Sequence, residues 1–288
     1  MNELIIQDFG FAYGRNKVFQ NFSARFGEGI HVLLGENGSG KTTLFQVLST
    51  VFSLQKGRIT LNGISYETPA AVRPLIAYLP QDFNVYPNMK VKHFLEFVAQ
   101  VKNKKPLKAV QASVIKAMER TATIDFKDKK MKELSGGMRR RVGIAQALLS
   151  EAVLIVADEP TAGLDPEQRL LFNRLLRDIA HDRIVLLSTH IIEDIQHFYQ
   201  DIAILSHGQL KCQGTAQDLT AQLQGRCYEF LCWPSDVEKI KKQYHVLDLE
   251  EMKEGTKTTI ALRPGEQLPY GAWPLESITL QHVWSYYI

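Results

Sequence analysis

Residues 30–42, Ile30-His31-Val32-Leu33-Leu34-Gly35-Glu36-Asn37-Gly38-Ser39-Gly40-Lys41-Thr42, carry a short apolar stretch straight into the spacing G-x-x-x-x-G-K-[ST], and a helical pattern, Thr43 to Val51, follows. An apolar strand, a glycine-rich loop and a helix start in that order form a phosphate-binding loop. The glycines let backbone N–H groups turn inward around phosphate oxygens, and the helix N-terminus adds the positive end of its dipole. Lys41 then reaches the β- and γ-phosphates and Thr42 ligates Mg²⁺. This stretch predicts a nucleoside-triphosphate and Mg²⁺ site built from Gly35, Glu36, Asn37, Gly38, Ser39, Gly40, Lys41, Thr42 and Thr43.

Similar short runs of Val, Ile and Leu recur at Val153 to Ala157, Ile184 to Leu187 and Ile202 to Leu205, with helical patterns between them. That alternation predicts an α/β fold with a mostly parallel, buried sheet. Leu4 to Ile6, Val18 to Phe26 and Arg58 to Leu61 read instead as an antiparallel β edge layer, joined by Gly and Asn turns. Helical patterns at Lys90 to Val101 and Leu107 to Thr121 flank a breaker at Lys105-Pro106, and predict a helical subdomain inserted at about residues 88–150. After Gly214 the chemistry-bearing residues stop. Tyr228 to Leu231 and Thr258 to Leu262 alternate as strands do, beside a helical Ser235 to Lys242. The expected division is a nucleotide-binding domain, 1–215, and a small α/β accessory region, 216–288.

Composition narrows the class. A chain of 288 residues that is 45% hydrophobic and 23% charged, with three Cys, is neither disordered nor collagen-like nor a disulfide scaffold. Cys212, Cys227 and Cys232 lack C-x-x-C spacing and read as ordinary reduced thiols. No stretch approaches the roughly 18 consecutive apolar residues of a membrane span. The first residues have neither a basic segment nor a long apolar run, so a cytoplasmic protein is expected. A net charge of +3 without a long basic run gives no reason to expect nucleic acid.

Val153-Leu154-Ile155-Val156-Ala157-Asp158-Glu159 is an apolar strand delivering two carboxylates to the carboxyl edge of the sheet, where ligands of α/β proteins bind. Asp158 is suited to hold Mg²⁺ through its water shell, and Glu159 to polarise an attacking water. Ser135 and the N–H groups of Gly136 and Gly137, in Leu134-Ser135-Gly136-Gly137-Met138-Arg139-Arg140-Arg141, open a helix running to about Leu149 and so make a second anion-binding helix end. One nucleotide cannot easily use both ends from one chain.

Taken with the two motifs before it, this last segment resembles the signature loop of the ATP-binding cassette family of ATPases, and the resemblance covers about residues 1–215. It implies a head-to-tail dimer in which the signature loop caps the γ-phosphate held by the partner's phosphate loop. It further implies that Tyr13, in Phe11-Ala12-Tyr13-Gly14, stacks on adenine, and that Gln81, in Tyr78-Leu79-Pro80-Gln81, contacts Mg²⁺ or the attacking water. Asp165, in Thr161-Ala162-Gly163-Leu164-Asp165, matches the loop that crosses the dimer interface, and before Pro166 it is also a helix cap. His190, closing Val185-Leu186-Leu187-Ser188-Thr189-His190, is similar to the switch histidine that contacts the γ-phosphate and helps hold Glu159. The catalytic set is thus Glu159, His190 and Gln81, and the metal set Thr42, Gln81 and Asp158.

Met138 stands where glutamine is common, which resembles the cassettes of drug, lipid or polysaccharide exporters. Leu280-Gln281-His282-Val283-Trp284 is similar to the closing helix of that subset, with Gln281-His282 in place of its usual acidic pair. The resemblance implies an ATP-hydrolysing transporter subunit working in export, peripheral on the inner face of the cell membrane. Its partners would be an integral membrane permease and a second cassette, either another copy of this chain or a paralogue. The alternative is a soluble cassette ATPase acting on ribosomes or DNA; such proteins usually carry two cassettes or long coiled-coil insertions, and neither is visible here. Arg139-Arg140-Arg141 and Lys102, Lys104, Lys105, Lys127, Lys129, Lys130 and Lys132 read as a solvated face, or as a surface beside anionic lipid.

Overall fold

The computed structural model describes residues 1–81, 86–189, 192, 195, 199 and 201–288. Strands β1 (Leu4–Tyr13), β2 (Asn16–Phe26), β4 (Lys56–Leu61) and β5 (Ile64–Ser65) form an antiparallel sheet of order β2-β1-β4-β5. The central sheet contains β3 (Gly29–Gly35), β6 (Ile76–Leu79), β7 (Leu154–Ala157), β8 (Ile184–Thr189), β9 (Asp201–Ser206) and β10 (Gln209–Gly214), in the order β10-β9-β3-β8-β7-β6. Its neighbours are parallel except β9 and β10.

The period-2 alternation of these strands sorts their side chains into two cores. Leu33, Val156, Leu186 and Leu205 face the antiparallel layer and α1 (Lys41–Leu48), where they meet the buried Phe9, Phe19, Phe22 and Phe45. Val32, Leu34, Ile155, Leu187 and Ile204 face the other way, into a core shared with the remaining main helices. Burying one such Phe or Leu contributes about 1.5–3 kcal/mol, so the alternation fixes which face each strand presents.

A short helix α2 (Pro69–Val72) precedes β6. Helices α3 (Val91–Asn103), α4 (Leu107–Arg120) and α5 (Gly136–Ala147) pack on one another as the inserted helical layer, and α6 (Pro166–Ile179) follows β7. The strand β6 was not expected as such: four residues, Ile76-Ala77-Tyr78-Leu79, give too short a run to separate strand from loop by periodicity. At the amino edge, His31 Nδ1 meets Asp201 Oδ2 at 2.7 Å and Nε2 meets the Gly27 carbonyl at 2.7 Å, which pins β3 to β9. Burial opposes the Asp201 charge, but hydrogen bonds from His31 and Gln213 outweigh it and hold the carboxyl below its usual pKa.

Beyond β10 and α7 (Ala216–Ala221), strands β11 (Cys227–Cys232), β12 (His245–Met252), β13 (Gly255–Ala261) and β14 (Trp273–Pro274) form an antiparallel sheet of order β12-β13-β11-β14, with α8 (Val237–Gln243) beside it. The chain ends in α9 (Leu280–Tyr287), which packs against α7, β9 and β12. The three thiols are free; burial raises Cys212 to about 12 and Cys227 to about 11, so both stay protonated.

Candidate nucleotide site

Because β3, β6, β7 and β8 run parallel, their carboxyl ends share one edge of the sheet. β3 delivers Gly35 there, β6 leads to Gln81, β7 to Asp158 and Glu159, and β8 carries Ser188. The turn from β3 into α1 depends on glycine at two positions. Gly40 adopts φ +109°, and a Cβ there would lie 2.7 Å from the Phe19 ring. A Cβ on Gly35 would lie 2.5 Å from Ser39 Oγ and 2.6 Å from the Leu205 carbonyl.

Lys41, 6% exposed, donates to the carbonyls of Gly35 at 2.6 Å and Glu36 at 2.9 Å, so the loop's own backbone folds around its ammonium. Burial lowers its pKa below the usual value, against the carboxylates of Glu159, Asp158 and Glu36, which favour the charge. The loop opens on a cavity of about 990 Å³ lined by Tyr13, Asn16, Val18, Gly35, Glu36, Asn37, Gly38, Gly40, Lys41, Thr42, Thr43, Gln81, Glu159 and Trp284. Tyr13 is 46% exposed at this cavity, braced edge-on by Phe11 and Phe52, with its hydroxyl 3.3 Å from Thr43 Oγ1. Ser39 is the member of the expected loop set that does not line the cavity. Its hydroxyl is buried behind the loop without a hydrogen-bond partner among the described residues, while its N–H donates to the Glu36 carbonyl.

Glu159 reaches the cavity from a strained backbone, with φ +44°. Two bonds through one hydroxyl hold it there: Ser188 Oγ accepts from the Glu159 N–H at 2.8 Å and donates to Asp158 Oδ1 at 2.6 Å. Asp158 and Ser188 are buried and do not line the cavity. Gln81 Nε2 donates to Glu159 Oε2 at 3.2 Å, joining the two groups expected to handle water.

The donor set expected for a cation is a hydroxyl, Thr42, a carboxylate, Asp158, and an amide oxygen, Gln81. Among the described residues no cluster of three or more His, Cys, Asp or Glu could hold a metal alone. Those hard oxygen donors suit Mg²⁺, which keeps several waters and takes much of its coordination from substrate phosphates.

Ser135, Gly136, Gly137 and Asp165 do not line this cavity. Ser135 caps α5, accepting from the Met138 N–H at 3.2 Å, and Asp165 caps α6, accepting from the Gln168 N–H at 2.8 Å. A Cβ on Gly137 would meet Gln168 Oε1 at 2.3 Å, so these two helix starts abut each other. Arg139, Arg140 and Arg141 are partly buried rather than a solvated face. Arg140 donates to the Gln81 carbonyl at 3.4 Å and the Ala162 carbonyl at 3.2 Å, linking α5 to the loops that carry Gln81 and Glu159. His190 and residues 82–85 lie outside the described residues.

Ser188, Asn16, Val18 and Trp284 join this neighbourhood without having been singled out as site residues. Ser188 sits inside the quoted strand as one small polar residue, and its only sequence signal is a hydroxyl two positions before His190.

Residues 19–162 match the family described as ABC transporter. An uncharacterised ABC transporter ATP-binding protein of Bacillus subtilis, YxlF, is 32% identical over 222 residues, covering 77% of this chain and 74% of that protein. The Nod factor export ATP-binding protein I of Rhizobium etli is 30% identical over 230 residues, 78% of this chain and 72% of its own. Among solved structures, cbiO1 of Clostridium perfringens, part of the ABC transporter complex cbiONQ, superposes with a TM-score of 0.69 at 25% identity, covering 83% of this chain and 94% of that one.

Proposed function

The chain belongs to the ABC transporter family, as an ATP-binding subunit that hydrolyses ATP, and from that premise we propose that it powers export through a separate membrane protein by closing head-to-tail on a second cassette. One observation carries the dimer: of the two helix starts read from the sequence as anion sites, the one at Lys41 opens on the cavity and the one at Ser135 does not. Ser135, Gly136 and Gly137 are therefore assigned to the nucleotide held by the other cassette, with Asp165 at the interface between them. Such an N-terminus presents N–H groups and a partial positive charge to a γ-phosphate.

Lys41 and the loop N–H groups bind the phosphates, Tyr13 takes the adenine, and Thr42 with Asp158 and Gln81 holds Mg²⁺. Glu159 polarises the attacking water and His190 positions it. The metal neutralises charge on the phosphates when bound. Glu159 and Gln81 keep water where an in-line attack can use it.

No helix among the described residues is long and apolar enough to cross a membrane; the transport path is proposed to lie in a separate membrane protein. Tyr86, Phe97 and Val101 are exposed, with the rings of Tyr86 and Phe97 6.0 Å apart. They supply apolar surface around Tyr86, which belongs by sequence to the stretch 82–89 proposed to transmit closure to the membrane subunit. Export is supported by the relative whose name states it. Residues 216–288 are proposed as an accessory region of the same subunit.

Sedimentation of the Glu159→Gln chain tests the closure, alone and with any cassette chain that co-purifies with it. The expected result is a two-cassette species that forms with MgATP and is lost when Ser135→Arg is introduced. A mass that stays that of one cassette at saturating MgATP would overturn the head-to-tail reading.

A further inference from the structure

Trp284 lines the same cavity as the phosphate loop, although 242 residues separate it from Thr42 in the chain. Helix α9 puts it there. Leu280 and Val283 are buried in the core beneath the sheet, and Trp284, four residues after Leu280, lies on the same side and is half-buried against that core. The helix is fixed at both ends. Thr279 and His282 form a reciprocal cap, in which the Thr279 N–H donates to His282 Nδ1 at 3.1 Å. Tyr287 donates to Gln222 at 2.8 Å, Arg226 donates to the Tyr286 hydroxyl at 2.9 Å, and the Ser285 carbonyl lies 3.2 Å from His245 Nε2. Those partners lie just after α7, just before β11 and at the start of β12, so the position of the indole is set by the C-terminal region.

We propose that Trp284 is a wall of the nucleotide site, and that through it residues 216–288 respond to whether a nucleoside triphosphate is bound. The inference rests on the reading of the Lys41 cavity as the ATP site. An indole offers a flat apolar face and one N–H donor. Among the described residues that N–H has no hydrogen-bond partner, and it is available to an oxygen of the nucleotide. Closure of the cavity on ATP then acts on α9, and α9 acts on the sheet of β12, β13, β11 and β14.

The other two tryptophans, Trp233 just after β11 and Trp273 in β14, are exposed and do not line the cavity, which makes the test direct. In a full-length chain carrying Trp233→Phe and Trp273→Phe, Trp284 is the sole indole, and N-methylanthraniloyl-ATP is the acceptor of its emission. Anisotropy of the acceptor, excited directly, measures binding independently. The expected result is strong quenching of Trp284 that saturates along the anisotropy curve, well beyond that of matched chains retaining only Trp233 or only Trp273. Trp284→Ala should weaken nucleotide binding about 3- to 10-fold, and Trp284→Phe less. Binding by anisotropy with no more quenching at Trp284 than at Trp233 would overturn the proposal, as would wild-type affinity in both variants. Absence of nucleotide binding would instead overturn the ATP-site reading, and this inference with it.

Discussion

Ser188→Ala removes one oxygen and breaks two bonds at the carboxyl edge of the central sheet. The hydroxyl is fully buried, 2.6 Å from a carboxylate oxygen of Asp158 and 2.8 Å from the Glu159 N–H. A hydrogen bond to a charged group contributes about 1.5–3 kcal/mol and a neutral one about 1 kcal/mol, so the loss of stability should be about 2.5–4 kcal/mol. Glu159 is held at φ +44°, and a non-glycine residue in that region carries about 1–3 kcal/mol of strain. Without the bond to its N–H the strain relaxes and the carboxylate leaves its place beside Gln81. Phosphate release should therefore fall at least about tenfold, since about 1.4 kcal/mol of lost positioning already corresponds to that factor. Nucleotide affinity without Mg²⁺ should change little, because neither Ser188 nor Asp158 lines the cavity. Denaturant unfolding, steady-state phosphate release and nucleotide binding measure the three quantities. A variant within about 0.5 kcal/mol of the parent, or one that loses stability but keeps full turnover, would refute the argument that this hydroxyl sets Glu159.

Glu159→Gln should slow hydrolysis by roughly 10²–10⁴-fold with ATP binding retained, as expected for loss of the group that polarises water; single-turnover assays separate the two. Arg140→Ala, which frees the Gln81 and Ala162 carbonyls from α5, should lower turnover several-fold with a smaller effect on nucleotide affinity, readable in the same assays. His282 provides a pH test. Burial lowers its pKa from the usual 6.5, against the carboxylates of Asp248 and Glu229, and Lys257 adds to the lowering. The folded chain thus holds the imidazole neutral, and its stabilisation is complete above about pH 6.5 and lost as the pH falls through the lower folded value. Unfolding measured between pH 7.5 and 5 should show this decline, and His282→Glu should move the cap's contribution to lower pH by placing a carboxylate at the third helical position.

Much of the site was legible because phosphate chemistry imposes contiguous spacing. Gly35 to Thr42 must turn tightly around oxygens, and Asp158-Glu159 must end a strand, so both motifs carry their geometry within a few residues. The parallel sheet was legible for a related reason: strands buried on both faces have no polar alternation to confuse them with edge strands. Strand β12 failed that test. His245-Val246-Leu247-Asp248-Leu249-Glu250-Glu251-Met252 has three carboxylates and an exposed far end, because it lies at the edge of its sheet. Ser188 and Trp284 were hidden by distance. The first finds its role through Asp158, 30 residues away, and the second through a helix that returns to the cavity from the end of the chain. Neither residue type in its local pattern announces such a contact.

The central claim, that this cassette drives a membrane transporter, is tested most directly by purifying the tagged chain from its native host in mild detergent with a non-hydrolysable ATP analogue. The account predicts an integral membrane protein at stoichiometric level, together with a second cassette. Recovery of ribosomes or nucleic acid, with no membrane protein, would contradict it.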